Sequence, residues 1–173
     1  RSFSSEIYDL NELTQQIANF ANDLTHKLRK QASLCEELVV FAYTNRFKET
    51  VPQAYHSTLI HFGQPTHEYR PLIATAVQGL REIYRSGYGY KKAGVIATHI
   101  IDSGDMMHSL FEDTETLEKE HRITSALDAI NRAYGDGAIK LAVQGSGRIK
   151  TTSEKQSPHY TTLWSDIPKV SIK

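Results

Sequence analysis

Between Leu10 and Leu28 the apolar residues Leu10, Leu13, Ile17, Phe20, Leu24 and Leu28 recur every three or four positions, the stripe of an amphipathic helix. Asp9 stands before it with Glu12 three residues on, similar to a capping box with Asp in place of Ser or Thr. Leu34 to Phe47 is rich in Leu, Val, Phe and Tyr, too short and too β-branched for a second long helix, which predicts a strand. Pro52 marks a turn. A second strand, Ala54 to Phe62, completes an antiparallel pair that ends at a Gly63-Gln64-Pro65 break. From Thr66, with Pro71 in the first turn, Leu72, Ile73, Ala76, Val77, Leu80, Ile83 and Tyr84 return to helical spacing and close near Gly87. Tyr90 to Ile101 predicts a further strand. With Ser2 to Ile7 as an opening strand the order is β-α-β-β-α-β: an α+β fold with a four-stranded sheet and both helices on one face. The open face is a platform for a large ligand such as duplex nucleic acid, or plain solvent-facing surface.

Beyond Ile101 the pattern loosens. Met106-Met107-His108-Ser109-Leu110-Phe111 sets apolar residues amid carboxylates, the pattern of a short docking peptide. Leu117, Leu127, Ile130 and Tyr134 mark a third helix stopped by Gly135 and Gly137, and Ile139 to Val143 predicts a short strand. From Gly145 to Lys173 the chain is basic, rich in Ser and Thr, and broken by Pro158 and Pro168, so little regular structure is expected.

Charge sharpens this division. The chain of 173 residues is formally neutral, which argues against a strongly basic nucleic-acid binder. From Asp102 to Glu120, however, seven carboxylates face Lys119 alone, a surplus of six negative charges that masks an equal positive surplus elsewhere. The one cysteine, Cys35, allows no internal disulfide and no thiol-based metal site, which favours a reducing compartment. No apolar run of about twenty residues is present, so a soluble, cytoplasmic protein without membrane contact is expected. Opening at Arg1, directly into a strand, the chain also reads as part of something longer.

Several segments resemble the UmuC family, the polymerase subunits of bacterial DNA polymerase V and its plasmid-borne relatives. They are Arg1-Ser2-Phe3, Lys27-Leu28-Arg29, Thr44-Asn45-Arg46-Phe47, Tyr90-Lys91-Lys92-Ala93-Gly94-Val95 and Ser157-Pro158-His159-Tyr160-Thr161-Thr162. The resemblance covers nearly the whole chain. It implies a Y-family little finger, the extra DNA-binding domain of lesion-bypass polymerases, over 1–101. An acidic linker follows over 102–117, and a small tail module over 118–173.

The resemblance also implies site residues. Arg1 and Ser2, Thr44, Asn45 and Arg46, and Tyr90, Lys91 and Lys92 become candidates for contacts to DNA phosphates, with His56 and Thr58 as weaker ones. Holding primer-template DNA by phosphates suits an enzyme that must pass damaged bases, since such contacts position the duplex without reading its sequence. Met107, Leu110 and Phe111 fall where the family carries a peptide that docks on the sliding clamp, typically Gln-Leu-x-Leu-Phe. Only the Leu-Phe end matches: Met107 replaces the Gln, and losing an amide's contacts costs about 1 kcal/mol. Further implied partners are the processed UmuD dimer and the RecA filament of the SOS response, in a bacterial, nucleoid-associated setting. Trp164 reads as a satellite core residue.

No set of carboxylates suited to hold two divalent ions for nucleotide transfer is apparent. By the resemblance, the catalytic domain and its divalent metal lie upstream of Arg1, leaving this part non-catalytic and without a cofactor. An enzyme reading would recruit His56, His61 and His67 as metal ligands, but residues five apart on one strand face opposite sides. The remaining alternative is a ferredoxin-like protein-interaction module without DNA binding.

Overall fold

The computed structural model describes residues 1–48, 50–105, 114–135 and 137–146, with backbone alone for residues 114, 116 and 117. Four strands and two helices form the first part: β1 (Ser2–Ile7), α1 (Leu10–Lys30), β2 (Ser33–Thr44), β3 (Tyr55–Thr66), α2 (Tyr69–Ile83) and β4 (Tyr90–Asp102). The sheet order is β1-β4-β2-β3 and every neighbouring pair is antiparallel. Each β-α-β crossover is therefore split by one strand, β4 lying between β1 and β2, and β2 between β3 and β4.

Local chemistry sets the helix ends. Asp9 caps α1 by accepting the Glu12 amide at 2.7 Å. Its other end turns out through Ala32 at φ +51, whose amide reaches the Arg29 carbonyl at 3.0 Å. The apolar stripe of α1 faces α2 and the sheet, where Leu13, Ile17 and Leu28 join Leu38, Val40, Leu72 and Leu80 in one core. Alternation along β2 turns Leu38, Val40 and Ala42 into that core and Glu37, Val39, Phe41 and Tyr43 to the open face.

The structure corrects several expected boundaries. β2 stops at Thr44, so Asn45, Arg46 and Phe47 belong to the following loop. Gly63-Gln64-Pro65 does not break β3, which runs on to Thr66. The pairings Glu37↔His61 and Cys35↔Thr66 enclose a bulge there, and Pro65 is tolerated because β3 is an edge strand. Consequently α2 begins at Tyr69 rather than Thr66.

After β4 and a short 3-10 turn at Ser103–Asp105, helix α3 spans Thr114–Tyr134. Among its described residues the apolar ones do little of the docking, since Ile130 and Tyr134 are exposed and Leu127 alone packs against the core. A polar face replaces them. Asp128 meets Arg29 and Tyr69, Thr124 and His121 meet Glu68, and Glu120 meets Arg70. The expected strand over 139–143 is absent. Ala142–Gln144 forms a 3-10 turn instead, and buried Gln144 exchanges hydrogen bonds with Asn19 of α1 at 3.0 and 3.3 Å. Among the described residues no helix is long and apolar enough to cross a membrane.

Candidate nucleic-acid interface

One end of the open face gathers residues distant in sequence. Tyr43 pairs with Lys92 on one side and Tyr55 on the other, and Lys92 pairs with Ser2, so Ser2, Lys92, Tyr43 and Tyr55 form a row across all four strands. The loop after β2 closes over this row, and together they line a cleft of about 530 Å³ that also takes in Thr44, Asn45, Arg46, Phe47 and Lys91.

Its charges are unevenly committed. The Lys91 Nζ donates to the Ser4 carbonyl at 2.9 Å. Lys48 pairs with Glu6 at 2.7 Å, which raises the lysine and lowers the carboxyl from their ordinary values. Among the described residues, Lys92 and Arg46 pair with no carboxylate. The Arg46 guanidinium lies 5.1 Å from the ring centre of Phe47, which is 82% exposed. Tyr43 and Tyr55 sit ring to ring at 5.6 Å. Two unpaired cations beside exposed aromatic rings and phenol hydroxyls can grip an anionic backbone and present flat apolar surface to sugars or bases.

Side-chain hydrogen bonds cross the loop. Gln53 Nε2 donates to the carbonyls of Asn45, Lys48 and Val51, and the Asn45 side chain accepts the Phe47 amide at 3.1 Å. Thr44 is spent in the same work: its hydroxyl donates to Gln53 Oε1 at 3.0 Å and accepts the Ala54 amide at 2.9 Å.

Of the residues anticipated as phosphate contacts, Ser2, Asn45, Arg46, Lys91 and Lys92 therefore meet at one cleft, while others are occupied elsewhere. Thr44 lines the cleft but is buried. Tyr90 is fully buried, its hydroxyl accepting the Arg85 amide at 2.8 Å, and burial raises its pKa. The Arg1 side chain folds back over Phe20 to Asp23 of α1, at 2.6 Å. His56 and Thr58 pair with Ala42 and Val40, which puts them on the helix-covered face. Met107, Leu110 and Phe111 lie outside the described residues, as do Trp164 and the 157–162 segment. Tyr43, Tyr55 and Phe47 were not anticipated. Alternation in β2 placed Tyr43 on the open face, but only strand pairing brings Tyr55 and Lys92 beside it.

The middle of the open face is apolar, Leu59, Val39 and Ile96 forming one cross-strand row. At its far end Glu37 accepts from His99 at 2.7 Å and Thr98 at 3.0 Å and approaches His61 at 3.1 Å, and the contact raises the His99 pKa.

Residues 1–110 match the family described as the impB/mucB/samB family C-terminal domain. The chain belongs to that family. Residues 121–170 match a second family, described only as a domain of unknown function. Among relatives, the protein is 31% identical over 171 residues to protein UmuC of Salmonella typhimurium strain LT2, 98% of this chain and 40% of that protein. ImpB and SamB of Salmonella typhimurium are each 30% identical, over 97% and 99% of this chain and 40% and 41% of theirs. The chain thus spans about two fifths of the length of the relatives it matches. In this impB/mucB/samB domain the cleft is built from the first strand, the end of β2, the β2–β3 loop and the starts of β3 and β4, all inside the matched segment.

Proposed function

We propose that this chain is the non-catalytic, DNA-gripping part of a bacterial Y-family lesion-bypass DNA polymerase, holding primer-template duplex by its phosphates without sequence preference. The observation that carries the reading is the convergence of Lys92 and Arg46, free of carboxylate partners among the described residues, with Ser2, Asn45, Tyr43 and Tyr55 at one end of an open sheet face. Neutral overall charge is compatible with this, because the surplus of acid is concentrated between Asp102 and Glu120. The reading assigns the catalytic domain and its divalent ions to the three fifths of the relatives' length that this chain does not span. The family resemblance adds the sliding clamp as a partner of Met107, Leu110 and Phe111, and the processed UmuD dimer and RecA filament as partners in SOS mutagenesis.

The test is binding of a labelled primer-template duplex at several salt concentrations. Each neutralised phosphate contributes about 0.9 to the slope of log affinity against log salt. The Lys92→Ala/Arg46→Ala variant should lose about 1.8 from that slope, whereas Thr58→Ala should leave it unchanged. A wild-type affinity that does not respond to salt sinks the reading. It would favour the alternative, a protein-interaction module, for which the apolar row of Leu59, Val39 and Ile96 on the same face is the supporting observation.

A further inference from the structure

His67 just after β3, Glu68 at the start of α2 and His121 on α3 bring three potential ligand atoms within 4.8 Å of one another. They line one pocket of about 770 Å³ beneath the β3 bulge. His67 Nε2 lies 3.5 Å, and His121 Nδ1 3.3 Å, from the same Oε1 of Glu68. These separations are long for charge-assisted hydrogen bonds, which close to roughly 2.7–2.9 Å. They fit the edges of a tetrahedral zinc site, where metal–ligand distances of about 2.0–2.2 Å give ligand–ligand edges of roughly 3.3–3.5 Å.

The surroundings are those of oriented ligands. His67 Nδ1 stands 3.2 Å from the Ser33 carbonyl. Donating there, it keeps the proton on Nδ1 and turns the lone pair of Nε2 toward Glu68, as a metal-bound histidine does. A neutral Nε2 facing a carboxylate oxygen is one acceptor against another, and a cation between them resolves the conflict. Glu68 occupies the N-cap position of α2 yet makes no capping hydrogen bond with its side chain. Its Oε2 accepts instead from Thr124 Oγ1, which leaves Oε1 to the two histidines.

We propose that His67, Glu68 and His121 form a zinc-binding site that clasps α3 to the β3–α2 junction. Two imidazoles and one carboxylate suit a borderline divalent ion such as zinc rather than magnesium or calcium, which take oxygen ligands. The His121 side chain is 67% exposed, so the ion sits at the pocket mouth with water as its fourth ligand. The site joins the two segments matched by different families, since His67 and Glu68 belong to the first and His121 to the second.

The experiment titrates the full chain, first stripped with a chelator, with zinc in competition with a chromophoric chelator. One equivalent should bind to the wild type and be lost in His67→Ala and in His121→Ala. Thr124→Val should bind about 10–100-fold more weakly, and His61→Ala as the wild type does. Zinc should also shift the imidazole resonances of His67 and His121 in the wild-type chain, a readout that needs no variant to fold. An equivalent retained by the His67→Ala/His121→Ala double variant, no binding by the wild type, or shifts confined to other histidines overturns the proposal.

Discussion

Arg29 on α1 and Asp128 on α3, ninety-nine positions apart, meet through two hydrogen bonds of 2.8 and 3.0 Å. Tyr69 joins them, its hydroxyl donating to Asp128 and its ring lying 4.3 Å under the guanidinium. Both charged side chains are mostly shielded, at 13% and 22% exposure, so the pair is less screened than a surface ion pair. Asp128→Ala should cost about 2 kcal/mol, the scale of hydrogen bonds to charged groups. In a double-mutant cycle with Arg29→Ala, denaturant unfolding should show coupling; strict additivity would mean the two do not support each other.

The carboxylates beneath α3 make its docking acid-sensitive. In the metal-free chain burial pushes the Glu68 carboxyl up, and proton donation from His67, Thr124 and His121 outweighs it, bringing the pKa from 4.5 down to about 2. At Asp128 burial likewise opposes hydrogen bonds from Arg29 and Tyr69, with a net lowering. A depressed carboxylate stabilises the fold above its unfolded value and loses that contribution as pH falls through the folded one. Without bound metal, docking should therefore be complete above the ordinary Glu68 value of 4.5 and weaken toward about 2. Hydrogen exchange across that range should show α3 losing protection before β2 and β4; equal loss in helix and sheet would contradict this.

Gly79 on α2 should resist replacement. In an ordinary helix Gly→Ala stabilises by about 1 kcal/mol. Here a Cβ would stand 2.8 Å from Ile60 Cδ1 and 2.9 Å from Val40 Cγ2. Overpacking costs about 1–3 kcal/mol, so Gly79→Ala should lower stability by about 1 kcal/mol net. A raised melting temperature would mean that β3, at the sheet edge, yields to the added methyl.

Cys35 should be inert while the chain is folded. It is fully buried between β3 and β4, its thiol donates to the Thr66 carbonyl at 3.4 Å, and burial pushes its pKa up to about 11. Reaction with a thiol-specific reagent at neutral pH should be slow in the native chain and rapid in denaturant. Fast native labelling would show that the β3 bulge opens.

The amphipathic stripe of α1 and the strand character of β2 were legible because a helical apolar period and a run of β-branched and aromatic residues are both local signals. The ends of β3 and α2 were not. Gly63-Gln64-Pro65 has the composition of a break, and a Pro in a strand is tolerated only where its missing N–H faces no partner, which depends on β3 being an edge. The candidate cleft divides the same way. The family resemblance pointed to Arg46, Lys91 and Lys92, but which lysine is left unpaired depends on a bulge. The pairs Tyr43↔Lys92 and Thr44↔Tyr90 leave Lys91 as the extra residue, turned to Ser4.

By itself, then, the sequence determined the helix faces, the β-α-β-β-α-β order and the segments that carry the family, all of which follow from patterns within about twenty residues. Tertiary structure alone decided which side chains meet. It buried Tyr90, folded Arg1 onto Asp23, put His56 and Thr58 under α2, and brought His121 to Glu68. The reason is physical: strand register and helix docking are chosen by contacts between distant segments, and the polar face by which α3 docks is not marked by the apolar residues that predict the helix.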